Sequence, residues 1–144
     1  MAFTFAPIET LEQQLGIVIK ESQSPKPEYD GARIKSPVGP KVYLVDRGYK
    51  RWIPNPATYN NLFRDWDSIV TSIDIDEIPT GAQLPNGAFL AQAVDGPRVY
   101  LIDQNSKRWI VSPATMDKYD FDWGKIVPLL PHAIDVIPDG PDIT

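Results

Sequence analysis

Two stretches rich in β-branched and aromatic residues, KVYLVD at 41–46 and RVYLID at 98–103, carry apolar side chains on both faces of an extended strand. Each is followed by a two-residue turn, Arg-Gly at 47–48 and Gln-Asn at 104–105, and then by YKRWI or SKRWI. Apolar runs separated by a Gly- or Asn-bearing turn predict a β-hairpin in both places. A further short strand is expected ahead of each hairpin, from the Asp-Gly at 30–31 and the Asn-Gly at 86–87, both tight-turn dipeptides. After each hairpin comes Pro-Ala-Thr, at 56–58 and 113–115. Asn55 and Ser112 are suitable N-caps and proline suits the first helical position, so helices are predicted to run to 62–63 and 118–119. Asp-Trp follows in register at 65–66 and 122–123, and each unit closes on Ile-Pro-x-Gly, at 78–81 and 137–140.

The chain therefore writes one plan twice. Residues 39–58 and 96–115 agree at 13 of 20 positions without a gap, at an offset of 57 residues. The second copy carries two extra residues within PLLPHAID. A unit of this size is marginal alone because a small domain buries too little surface. The two copies are expected to share a core, by pseudo-twofold packing or by continuing one sheet. Ahead of them, residues 10–22 place Leu11, Leu15, Ile17 and Val18 near helical spacing, with Thr10 and Gln13 in a capping-box pattern; GIVIK alone reads equally as a strand. The expected organisation is a short N-terminal helix and proline-containing linker at 1–30, repeat one at 31–84 and repeat two at 85–144. Residues 31–144 would form one strand-rich α+β domain.

Composition narrows the function classes. Fifteen prolines in 144 residues are about twice the usual share and favour short strands and turns over a helical bundle. A net charge of −5, with scattered basic residues, gives no nucleic-acid footprint. No stretch approaches the roughly 20 apolar residues of a membrane span. The absence of cysteine removes disulfides, thiolate catalysis and Cys-type zinc sites together. The first 20 residues lack a basic n-region and a continuous apolar run, so Sec export is not expected from them. The compartment stays open.

Candidate chemistry concentrates in the repeated residues. Alternation puts Arg51 and Ile53 on one strand face and Lys50 and Trp52 on the other, with Tyr43 on the facing strand. Trp109, Arg108 and Tyr100 repeat the set. Read structurally, Trp and Tyr are the large core side chains of a small unit. Read functionally, Trp52 and Trp109 stack on a flat ligand, Arg51 and Arg108 clamp it, and Tyr43 and Tyr100 support them. Asp46 and Asp103 lie across the hairpin from the Lys-Arg pairs, giving either a cross-strand ion pair or an anion clamp. Asp74, Asp76, Asp135, Asp139 and Asp142 raise calcium, but no D-x-D-x-D-G loop is present. The sole histidine, His132, lies in the copy-two insertion, and no phosphate loop, G-x-S-x-G or H-E-x-x-H occurs. No cofactor and no catalytic activity are expected.

The pattern G-P-x-V-Y-L-x-D…K-R-W-I-x-x-P-A-T…W…I-P-x-G, over residues 31–140, resembles short tandem repeats of bacterial secreted and cell-surface proteins. The order of strands, with V-Y-L before R-W, is also similar to a hemopexin-type propeller blade. The units here are longer, Pro-Ala-Thr is unusual for that blade, and two blades close a propeller only by oligomerisation, for instance as a homo-oligomer of three chains. The resemblance implies a non-enzymatic recognition module, secreted or at the cell surface. The expected function is binding of a carbohydrate, a cell-surface polymer or a protein through two equivalent repeat surfaces. The rival expectation is a structural or adaptor subunit of a larger bacterial assembly, a secreted toxin or injection apparatus, docked through the N-terminal segment. A small hydrolase is the third.

Overall fold

The two turns that form the hairpins need backbone in the left-handed region, and the sequence supplies it differently in each copy. Arg47 and Gly48 have φ of 53° and 81°, and Gln104 and Asn105 have 54° and 63°. Two consecutive positive φ angles match the right-handed twist of the flanking strands. In the computed structural model, which describes residues 24–72 and 74–144, these turns join β2 (Val42–Asp46) to β3 (Tyr49–Trp52) and β6 (Val99–Asp103) to β7 (Ser106–Ile110). The register pairs Tyr43 with Trp52 and Leu44 with Arg51 in the first hairpin, and Tyr100 with Trp109 and Leu101 with Arg108 in the second. The expected N-terminal helix lies outside the described residues.

Each hairpin is extended by an antiparallel strand, β1 (Arg33–Lys35) or β5 (Phe89–Ala93), and then by a short parallel one, β4 (Val70–Thr71) or β8 (Val127–Leu129). The result is two four-stranded sheets of like order, β3-β2-β1-β4 and β7-β6-β5-β8. The repeats thus form separate sheets, not one continuous one. The chain is α+β and strand-rich, as its pattern predicts.

The helices start where the caps place them. Asn55 Oδ1 accepts from Thr58 N at 2.8 Å to open α1 (Pro56–Leu62), and Ser112 Oγ accepts from Thr115 N at 3.2 Å to open α2 (Pro113–Lys118). A third short helix, α3 (Pro131–Asp135), forms within the copy-two insertion. The Ile-Pro-x-Gly segments do more than turn the chain. Lys50 N donates to Pro79 O at 2.9 Å and Gly81 N to Lys50 O at 3.0 Å, while Lys107 N and Gly140 N repeat this with Pro138 O and Lys107 O, both at 2.8 Å. The closing segments therefore run along β3 and β7 and cover those sheet edges, which would otherwise expose unpaired backbone. A Cβ on Gly140 would stand 2.7 Å from Ser106 Oγ and 3.0 Å from Arg108 Cγ, so this close approach requires glycine.

One core joins the repeats. Leu44, Ile53, Leu62 and Phe63 of the first pack in a single buried cluster with Leu90, Leu101, Ile110 and Phe121 of the second. Phe63 and Phe121 stack at 5.7 Å, and backbone bonds from Arg64 N to Asp120 O and from Asp122 N to Leu62 O lock the two chain segments at that point. The opposite face of β2 is also covered. Val45 and Ile34 pack there with Ile75 and Ile78 in a second, smaller cluster.

Asn55 does one thing Ser112 does not: its Nδ2 donates to Asn86 Oδ1 at 2.7 Å, tying the cap of α1 to the start of repeat two. Asn55→Ala is expected to cost about 1–2 kcal/mol and Ser112→Ala about 1 kcal/mol or less. Urea unfolding of both variants checks this; equal losses would remove the inter-repeat role of the cap.

Candidate functional site

The six residues singled out in the sequence occupy three different environments. Arg51 and Arg108 lie on the core face of their strands, 4% and 2% exposed, and there they meet Asp46 and Asp103. Arg51 forms a two-pronged contact with Asp103 of the other repeat, Nη1–Oδ2 at 2.6 Å and Nη2–Oδ1 at 2.9 Å. Arg108 returns it on Asp46, at 2.6 and 3.0 Å. Each arginine also touches the aspartate of its own hairpin, Arg51–Asp46 at 2.9 Å and Arg108–Asp103 at 3.2 Å. Their Nε groups donate to Ala82 O and Pro141 O, on the two edge-covering segments. The cross-hairpin ion pair expected from the sequence is present, but it is one side of a reciprocal quartet joining the repeats. The guanidinium groups are committed to this quartet, which lines a recess of about 330 Å³ together with Tyr49, Gly81, Gln104 and Ser106.

The quartet sets its own protonation. Burial raises both carboxyls, but hydrogen bonds and charge from Arg108 and Arg51 outweigh it and hold Asp46 and Asp103 below the ordinary carboxylate range. Burial likewise works against the charge of the two guanidinium groups, and the paired aspartates overcome it. Four charges of balanced sign are thus kept ionised inside the protein.

Tyr43 and Tyr100 sit on the opposite strand face, beneath lysines. Lys50 Nζ donates to Ile75 O and Ile78 O at 3.0 and 2.8 Å and stands 5.8 Å from the Tyr43 ring centre. Lys107 Nζ donates to Ile137 O, lies 3.3 Å from Asp139, and stands 5.8 Å from Tyr100. These lysines fasten the closing segment of each repeat to its sheet.

Trp52 and Trp109 are half-buried, and each carries a cation on its ring: Lys41 Nζ at 4.7 Å and Arg98 Cζ at 4.2 Å. Trp52 opens onto a groove of about 240 Å³. Pro40, Lys41 and Val42 form one lip and Pro54, Asn55 and Pro56 the other, with Ile53 and Tyr59 beneath. Trp66, 45% exposed, makes the end wall and stacks on Tyr59 with ring centres 3.9 Å apart. Trp66 is the residue that reasoning from sequence left out. Its signal was present, since Asp-Trp recurs in register at 122–123, but nothing in the pattern said which tryptophan of each unit is the more exposed. The positions corresponding to Pro54 and Tyr59 in repeat two are Val111 and Met116, so the second copy builds its surroundings from different side chains.

Among the described residues no three His, Asp or Glu side chains converge to hold a metal ion. His132 is exposed on α3. No described helix is long and apolar enough to cross a membrane. Compared with family models, curated proteins and solved structures, the chain matches none.

Removing Asp103 would leave Arg51 buried with its main partner gone. Asp103→Ala is expected to cost about 3–5 kcal/mol, and Arg51→Met/Asp103→Leu less than that single change; urea midpoints decide it, and a larger loss in the double variant would contradict the account. The lowered carboxyl pKa values give stability that is fully present above the unfolded aspartate value of about 3.9 and is lost as pH falls from there through the folded values. Unfolding monitored by tryptophan fluorescence should show stability declining below about pH 4, with a flatter decline in Asp46→Asn/Asp103→Asn. An unchanged slope would assign acid sensitivity to other carboxyls.

Proposed function

We propose that this chain is a non-catalytic binding module whose groove at Trp52 and Trp66 takes an apolar segment of a partner protein. The observation that carries the reading is the groove itself: rigid proline lips, aromatic walls and a half-exposed Trp66 in a surface otherwise tied together by the repeats. Its volume of about 240 Å³ falls below the roughly 300–1,000 Å³ of sites that enclose a whole small molecule. That size suits one or two side chains of a longer ligand. Aromatic anchors in a shaped apolar recess are also where protein interfaces concentrate their binding energy.

A carbohydrate ligand has less support. Sugar hydroxyls need partners that both donate and accept, and the acceptor groups on the groove's side chains are occupied. Asn55 Oδ1 accepts from Thr58 N and Thr58 Oγ1, and Tyr59 Oη is engaged with Asp65 O and Arg33. The arginine clamp that a lectin-like site would draw on belongs to the quartet. The adaptor reading is compatible with the groove, with the partner held by repeat one.

Selection of a random-peptide display library on the wild-type chain, with counter-selection on a folded Trp66→Ala variant, tests the proposal. Recovery of peptides that bind the wild type and lose the variant is expected. A selection in which no clone depends on Trp66 would overturn it.

A further inference from the structure

The polar groups left over in the groove narrow the kind of peptide it suits. Among the described residues Lys41 is the only charged one lining it and has no carboxylate partner; its Nζ lies over the face of Trp52 at 4.7 Å. Among the described residues the Trp52 indole N–H is also without a hydrogen-bond partner, and it is not sealed off from solvent. By contrast, the Trp66 indole N–H is spent on Asn60 Oδ1 at 2.8 Å, and one of the two Asn55 amide N–H groups donates to Asn86 Oδ1. Among the described residues the side-chain groups left over are therefore two neutral donors, the Trp52 indole N–H and the second Asn55 amide N–H, and one cation. Free side-chain acceptors are lacking.

We infer that the groove binds a proline-bearing segment in the polyproline II conformation with an acidic residue beside the prolines, an inference that rests on the groove being a protein-docking site. Proline has a backbone carbonyl and no N–H, so a proline-bearing segment offers acceptors while demanding few in return. That matches a groove with donors to give and its side-chain acceptors occupied. The extended helix has no internal hydrogen bonds and its carbonyls point outward, ready for the Trp52 N–H. Its pyrrolidine rings suit the space between the proline lips and the Trp66 wall, as in aromatic-lined grooves generally. Lys41 at the rim adds charge complementarity for a carboxylate on the ligand.

The groove is specific to repeat one in this respect. Arg98 lies over Trp109 as Lys41 does over Trp52, but Val111 and Met116 stand where Pro54 and Tyr59 supply a ring to the lip and the floor. The proposal therefore concerns the first copy.

The test is calorimetric titration of the full chain with three blocked peptides of equal length. One carries prolines with a single glutamate, one has lysine in place of that glutamate, and one has alanines in place of the prolines. The proline–glutamate peptide is expected to bind, the lysine peptide about fivefold more weakly, and the alanine peptide not measurably. Trp52→Phe, which keeps an aromatic face of smaller area and removes the N–H, should weaken binding at least about fivefold, and Lys41→Glu should reverse the glutamate-over-lysine preference. Circular dichroism confirms that each variant is folded. Equal binding of all three peptides, or an unaltered charge preference in Lys41→Glu, overturns the inference. If the proline peptides fail while Trp66-dependent clones without proline emerge from the display library, the ligand class falls and the docking reading stands. If neither peptides nor clones bind, both fall.

Discussion

Two arginines and two aspartates, one of each from either repeat, are the constraint on which the structure turns. Charges buried this deeply are costly unless every partner is in place. Here the partners come from both halves: Arg51 is satisfied by Asp103 and Arg108 by Asp46. Their Nε groups reach the segments that cover the two outer sheet edges. The same four side chains therefore fix how the repeats face each other and where each closing segment lies. The apolar core alone would tolerate sliding of one sheet over another; a reciprocal pair of two-pronged contacts at 2.6 to 3.0 Å tolerates little.

Around that fixed centre the repeats are free to diverge, and they do so at their periphery. The hairpins, helix caps and cation-on-tryptophan contacts recur in both copies. Differences gather at the groove lip, the helix surface and the insertion that forms α3. A groove lined by Pro54, Tyr59 and Trp66 in repeat one thus arises on a frame whose stability does not depend on those side chains being the same in repeat two. Duplication has supplied one scaffold twice, with the side chains around Trp52 and Trp109 differing between the copies.

Local signals were legible in the sequence and long-range ones were not. The turns at 47–48 and 104–105, the Asn55 and Ser112 caps and the strand content follow from neighbours within a few residues. The quartet could not be read in the same way. Arg51 and Asp46 are a sensible pair across one hairpin, and the preferred partner, Asp103, lies 52 residues away. Because the two copies carry the same residues, composition cannot distinguish pairing within a repeat from pairing between them. The tryptophans were ambiguous for a related reason. Both faces of β2 are covered, one by the shared core and the other by Ile75 and Ile78, so alternation did not mark an outside. The exposed tryptophans are Trp66 and Trp123, both beyond the hairpin strands.

The reciprocity of the quartet also bears on how such a chain is assembled. A repeat by itself would carry an arginine and an aspartate whose best partners are on another copy, so it would be complete only as a pair. Joining the copies in one polypeptide replaces a concentration-dependent encounter with an intramolecular one, at an effective concentration set by the short connection around residues 80–86. The same geometry makes exchange between chains chemically equivalent to closure within one, because Asp103 offers Arg51 the same contacts whichever molecule it belongs to. What holds that connection in place is its pairing to β3, through Gly81 N on Lys50 O and Leu84 N on Trp52 O.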